Sequence, residues 1–98
     1  MSQLDRATSE KELSLMVRQL ASLKGWKVYH TFYSMFSDAG FPDLCLCRGD
    51  RLVFMELKTE KGKVSQAQKE WLEALSLTKC EVFVFRPSEW ESIVEVLV

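Results

Sequence analysis

Asp43, Glu56 and Lys58 fall inside the apolar runs of the stretch GFPDLCLCRGDRLVFMELK, which runs from Gly40 to Lys58 around the polar Arg48–Arg51 segment. Two carboxylates and an amine can hold a divalent cation and steady the charge on a phosphate. Hard cations such as Mg²⁺ take oxygen ligands and keep several waters. An ammonium beside them stabilises charge that builds on a phosphate under attack, or positions the attacking water. This chemistry needs no His or Cys nucleophile, which suits a chain with one histidine, His30.

Whether the three residues meet depends on strand pairing. Gly49-Asp50 reads as a two-residue hairpin loop, and Gly in the first central position suits a type II′ turn. Arg48 then faces Arg51, Cys47 faces Leu52, Cys45 faces Phe54 and Asp43 faces Glu56. Alternation puts Lys58 on the face of Glu56. The three charges therefore converge, with β-carbons about 5 to 8 Å apart. Facing carboxylates repel by roughly 0.2–1 kcal/mol when solvated, and by more where the effective dielectric falls. A divalent cation between them reverses that sign. The competing reading is a solvated strand face, with Asp43 a turn residue after Pro42. Cys45, Cys47 and Phe54 on the same face weigh against it, as does a sheet covered by helices.

The surrounding elements follow from periodicity. EKELSLMVRQLASLKG has apolar residues at 13, 16, 17, 20 and 23, a helical spacing. Ser9 with Glu12 fits a capping box, and Gly25 fits a helix stop. WKVYHTFY reads as a strand, SMFSDAGFP as a loop, DLCLC and RLVFMELK as the hairpin strands, and TEKGKVS as a polar loop. SQAQKEWLEALSL is a second amphipathic helix. EVFVF is a strand apolar enough to be buried. Pro87 ends it, and Ser88 caps a short terminal helix. Residues 1–8 read as a loose leader. The order α-β-β-β-α-β-α predicts an α/β fold, a mixed sheet flanked by helices.

At 98 residues the chain is expected to form one domain over 1–98. No apolar run approaches the roughly 20 residues needed to span a bilayer. The first residues lack the basic-then-apolar order of a signal peptide, so an intracellular, non-secreted protein is expected. Cys45, Cys47 and Cys80 are an odd count without zinc-like spacing; they read as buried, reduced thiols, and His30 as structural or exposed. A net charge of −1 argues against tight nonspecific binding to nucleic acid. A local basic surface is still available from Arg48, Arg51, Lys61, Lys63 and Lys69, the candidate backbone-phosphate contacts.

Gly-Phe-Pro-Asp, thirteen residues from Asp43 to Glu56, and then Glu-Leu-Lys resemble the PD-(D/E)xK nuclease signature. With the early Glu-bearing helix and the Gln-bearing helix before an apolar strand, Ser9 to Phe85 is similar to a VRR-NUC domain, the virus-type replication-repair nuclease branch. The resemblance implies a restriction-endonuclease-like fold and metal-dependent phosphodiester hydrolysis. It implies that Asp43, Glu56 and the Leu57 carbonyl ligate Mg²⁺ or Mn²⁺, with no organic cofactor, and that Lys58 serves the attacking water or the transition state. The first-helix glutamate maps to Glu10 or Glu12. Glu10 is preferred, because SEKEL resembles the start of archaeal-type Holliday-junction resolvases and Glu12 suits the cap. Gln68 maps to the helix glutamine, with Gln66 as fallback.

Stand-alone minimal domains of the family resemble junction resolvases, so the expected substrate is branched DNA, above all the four-way junction. A bacterial or viral setting is implied. Symmetric cutting requires a two-fold homodimer, for which Phe36, Phe41, Trp90, Ile93 and Val94 are interface candidates, each with core packing as the alternative. The alternatives are a flap or nicking nuclease, a non-catalytic nucleic-acid-binding module, and a structural domain with a coincidental motif.

Overall fold

The computed structural model describes residues 8–32 and 37–98. Helix α1 (Glu10–Leu23) leads into strand β1 (Lys27–His30), the hairpin β2 (Leu44–Arg48) and β3 (Arg51–Leu57), helix α2 (Gln66–Ser76), strand β4 (Glu81–Phe85) and helix α3 (Trp90–Val96). The sheet order is β1-β2-β3-β4. The first three strands pair antiparallel, and β4 pairs parallel with β3 after the α2 crossover. This is the expected mixed sheet flanked by helices. The first strand ends at His30, short of the expected Thr31 and Phe32; the last residue expected in it and the start of the following loop, including Phe36, lie outside the described residues. So does most of the proposed leader, although its last residue, Thr8, is buried.

The hairpin keeps the register read from its turn: Leu44 faces Met55, Cys45 faces Phe54, Cys47 faces Leu52 and Arg48 faces Arg51. Gly49 has a φ of 61° and Asp50 has a negative φ, as a type II′ turn requires.

One sheet face carries the core. Leu44, Leu46, Val53, Met55 and Leu57 meet Leu13, Val17 and Ala21 of α1 and Ile93 with Leu97 from the α3 end. Each fully buried aliphatic side chain there contributes about 1.5–3 kcal/mol. Helix α2 covers part of the opposite face, where Phe41 meets Phe54 at 5.7 Å and Trp71 at 5.0 Å, both edge-on.

Several expectations need correction. β4 is an edge strand and mostly half-buried, because α2 has eleven residues, none of them buried, and leaves its face partly open. For the same reason Cys47 is exposed, Cys45 and Cys80 are half-buried, and Leu52 is 41% exposed. Ser88 does not cap the last helix. Pro87–Glu89 form a 3₁₀ turn, and Ser88 donates its amide (2.7 Å) and hydroxyl (2.9 Å) to Glu60. Ile93 is fully buried and Phe41 and Trp90 pack inward, so these three act in packing; Val94 is half-buried.

Candidate active site

Asp43 closes the Gly-Phe-Pro-Asp loop one residue before β2. Thr31 clamps this loop, donating its amide to the Asp43 carbonyl at 2.8 Å and its hydroxyl to the Pro42 carbonyl at 2.9 Å. Asp43 Oδ2 accepts the Leu57 amide at 2.8 Å. In an extended strand the N–H and C=O of one residue point to the same edge, so the Leu57 carbonyl also faces the Asp43 side. On the other edge the Lys58 amide donates to the Phe85 carbonyl at 3.0 Å.

Glu56 is 1% exposed. Its Oε2 accepts from Gln68 Nε2 at 2.9 Å and lies 3.8 Å from Lys58 Nζ. Its Oε1 is buried with no hydrogen-bond partner. Burial pushes its pKa up to about 8; the Asp43 carboxylate pushes the same way and the Lys58 ammonium opposes both. A buried polar group left without a partner costs about 1–3 kcal/mol, and more when charged. The expected repulsion is therefore present, and Gln68 and Lys58 compensate it at one oxygen only.

Gln68 is held by the start of its own helix. Its amide donates to Ser65 Oγ at 3.1 Å and its Oε1 accepts the Ser65 amide at 2.8 Å, a reciprocal capping box. The remaining Nε2 goes to Glu56. Gln66 instead donates to Glu70 at 3.3 Å, so Gln68 is the glutamine that reaches the site. Gly40 makes this approach possible. Its φ is +94°, and a Cβ there would sit 2.5 Å from the Ala67 carbonyl carbon and oxygen and 2.8 Å from the Gln68 nitrogen. Only glycine lets the loop carrying Asp43 rest on the first turn of α2.

The helix glutamates divide as anticipated from the cap. Glu12 accepts the Ser9 amide at 2.8 Å, and its own amide donates to Ser9 Oγ at 3.0 Å. Glu10 is exposed, and its charge adds to the upward push on Glu56. It lines a cleft of about 180 Å³ with Lys11, Ser14, Arg18, His30 and Asp43.

Among the described residues, no group of three or more His, Cys, Asp or Glu side chains is gathered closely enough to hold a metal by itself. Asp43 and Glu56 supply two carboxylates. A cation that keeps part of its water shell fits such a set, and the orphaned Oε1 is the atom it would satisfy.

The candidate phosphate-contact residues fall into two groups. Arg48 donates to the carbonyls of Lys24 (2.9 Å) and Val98 (2.6 Å) and lies over the Trp26 ring. Arg51 forms a two-bond pair with Glu81 at 2.7 and 2.6 Å and also covers Trp26. Both occupy the turn end of the hairpin, five residues from Asp43 and Glu56, or about 17 Å at 3.4 Å per residue. Lys61, Lys63 and Lys69 are exposed on the loop before α2 and on α2. Sequence reasoning missed Arg18 and the conformational demand at Gly40. The first had a signal in the spacing of Glu10, Ser14 and Arg18, one helical stripe; the second lay in the quoted loop motif.

The sequence model of the VRR-NUC domain matches residues 4–89. A solved structure of a VRR_NUC domain protein superposes with a TM-score of 0.73, covering 94% of this chain and 87% of that one at 21% identity, which shows a shared fold. No curated protein is similar enough to count as a relative.

Proposed function

Because the chain belongs to the VRR-NUC family, which implies a nuclease-type function on nucleic acid, we propose that it is a Mg²⁺- or Mn²⁺-dependent DNA endonuclease. The observation that carries this reading is Glu56: a buried carboxylate beside Asp43, with one oxygen held by Gln68 and the other without a partner. A structural carboxylate in that position would be replaced at no loss by a neutral side chain. A metal ligand would not.

In this reading Asp43, Glu56 and the Leu57 carbonyl hold the ion, with Glu10 reaching it through water. When bound, the ion lowers the pKa of an attacking water and neutralises charge on the phosphate. Lys58, its ammonium 3.8 Å from Glu56 Oε2, orients that water or stabilises the transition state. Gln68 fixes the Glu56 carboxylate, as outer partners of ligands do. Glu56 would hold the ion as its carboxylate.

Branched DNA is the proposed substrate, with the four-way junction first, cut by a two-fold homodimer. The support is the likeness of the Glu10–Leu13 segment to the start of junction resolvases. The test is a panel of labelled four-way, flap, splayed and duplex DNAs, with and without Mg²⁺ and Mn²⁺, beside light scattering. Symmetric junction cleavage by a dimer is expected. Flap cleavage or nicking by a monomer would replace the junction assignment, and no metal-dependent cleavage of any DNA would sink the nuclease reading.

A further inference from the structure

Four arginines fall among the described residues, and each of three has at least one terminal nitrogen held by protein groups. Arg48 and Arg51 are engaged as above, and Arg86 donates to the carbonyls of Thr59 (2.6 Å) and Gly62 (2.7 Å). Arg18 differs. Its Nε donates to Ser14 Oγ at 3.2 Å, and its two terminal nitrogens have no partner among the described residues. Ser14 is 6% exposed, so the hydroxyl that steers the guanidinium is itself fixed by packing. Side chains on a helix lean toward its N-terminus. Arg18 therefore leans along the Glu10–Ser14 stripe, into the cleft whose wall includes Asp43 and His30. No salt bridge joins Arg18 to Glu10 or Asp43, although both carboxylates line that cleft.

We propose that Arg18 is the anchor for a substrate phosphate flanking the scissile one, on the α1 side of the carboxylate pair. A planar guanidinium held at Nε presents its outer N–H groups as a fork that matches phosphate oxygens. Placement beside an acidic site gives it a task that free lysines cannot perform. It draws the backbone strand into a cleft whose two carboxylates would otherwise repel it. Ser14 is a positioning residue acting through Arg18. The inference rests on the nuclease reading, and extends it to how the strand is oriented.

The test compares wild type, Arg18→Ala, Arg18→Lys and Ser14→Ala, with Lys79→Ala, an exposed lysine before β4, as a remote basic control. Binding of labelled DNA is followed by fluorescence anisotropy in EDTA across a salt series, and cleavage kinetics are measured with Mn²⁺. Arg18→Ala is expected to weaken binding several-fold to about tenfold for every sequence and to lower the salt slope by about one. Cleavage should lose through KM more than kcat. Arg18→Lys should restore the salt slope but only part of KM, since it returns charge without the fork. Ser14→Ala should raise KM at an unchanged salt slope. Melting temperatures check folding, and Arg18→Gln stands in if the alanine variant is unstable. A wild-type enzyme that cuts DNA while Arg18→Ala or Arg18→Gln keeps the wild-type KM and salt slope overturns this proposal alone. A wild type that neither binds nor cuts DNA overturns it together with the nuclease reading.

Discussion

The two ends of the β2–β3 hairpin pose the same problem and answer it differently. At the turn, Arg48 directly faces Arg51. At the open end, Asp43 precedes the ladder in the position opposite Glu56. Each is a like-charge pair that a sheet disfavours. At the arginine end every charge has a protein answer: the Glu81 carboxylate, backbone carbonyls, and the Trp26 ring that both guanidiniums contact. At the acidic end the answer is incomplete. Gln68 and Lys58 attend one oxygen of Glu56 and nothing attends the other. Repulsion that the protein resolves itself is structural. Repulsion left open and buried is what the proposed cation would relieve, and it carries a stability cost.

The largest effect should come from neutralising the open end. Glu56→Gln and Asp43→Asn preserve shape and remove a metal-ligating charge. Each is expected to lower cleavage by at least about 100-fold, in the range seen when one transition-state contact is lost. The melting temperature of Glu56→Gln should hold or rise, since a neutral amide suits the buried position better. Calorimetry on the same samples decides the matter: a large fall in melting temperature would make Glu56 a structural residue after all.

Next in size is Gln68→Ala. Removing the outer partner of a ligand typically reduces activity about 10- to 100-fold. The same change deletes half of the α2 capping box, worth about 1 kcal/mol. Gln68→Glu separates the two roles. It keeps the capping oxygen but sets a third carboxylate against Glu56, so it should retain the helix and lose metal affinity, as isothermal titration with Mn²⁺ would show. If Gln66→Ala proved the more damaging of the two helix variants, the assignment would move one step along α2.

The two ends also differ in how far the sequence reveals them. Pairing of Asp43 with Glu56 was legible because a two-residue turn with glycine at its first position sets the register of everything beyond it. Ser9 and Glu12 declared their cap because both partners lie within one turn. The engagement of Arg48 and Arg51 was hidden for the opposite reason. Their neighbourhood in sequence is basic, but their partners Glu81, Val96 and Val98 come from 30 to 50 residues further on. Ser88 misled likewise, because Glu60, 28 residues away, takes it from the helix cap. An apolar run such as EVFVF states that a strand is apolar, not whether it lies at the centre or the edge. Gly40 could be seen as part of a motif, whereas the demand on it comes from the Ala67 backbone across the structure.

A smaller effect is expected at the turn. Arg51→Ala removes a paired guanidinium, a bond to the Val96 carbonyl at 2.8 Å and a contact with Trp26. The combined loss should be roughly 1–2 kcal/mol. For a domain of this size that is on the order of 4–8 °C per kcal/mol in melting temperature. Cleavage per folded molecule should stay within about twofold. A loss of activity at full folding would return Arg51 to the DNA-contact set.

The finest discrimination is by pH. Glu56 keeps its proton in the folded protein up to about pH 8, whereas the unfolded chain releases it near its ordinary value of 4.5. Between those limits the folded state binds more protons, so raising the pH removes stability. Glu81 behaves oppositely. Arg51 holds its carboxyl below the ordinary value, so its contribution is present above about pH 4.5 and is lost as the pH falls through the lowered folded value. Melting curves in EDTA from about pH 3 to 9 should therefore show an acid limb below about pH 4.5 softened in Arg51→Ala and a decline between about pH 4.5 and 8 flattened in Glu56→Gln. Mn²⁺ should flatten that decline in the wild type, because binding takes Glu56 as the carboxylate and below about pH 8 must displace its proton. The stabilisation by Mn²⁺ should thus grow from pH 6 to pH 8. If Mn²⁺ stabilises equally at both, or if Glu56→Gln keeps the wild-type decline, the open end of the hairpin is not the group that sets the slope.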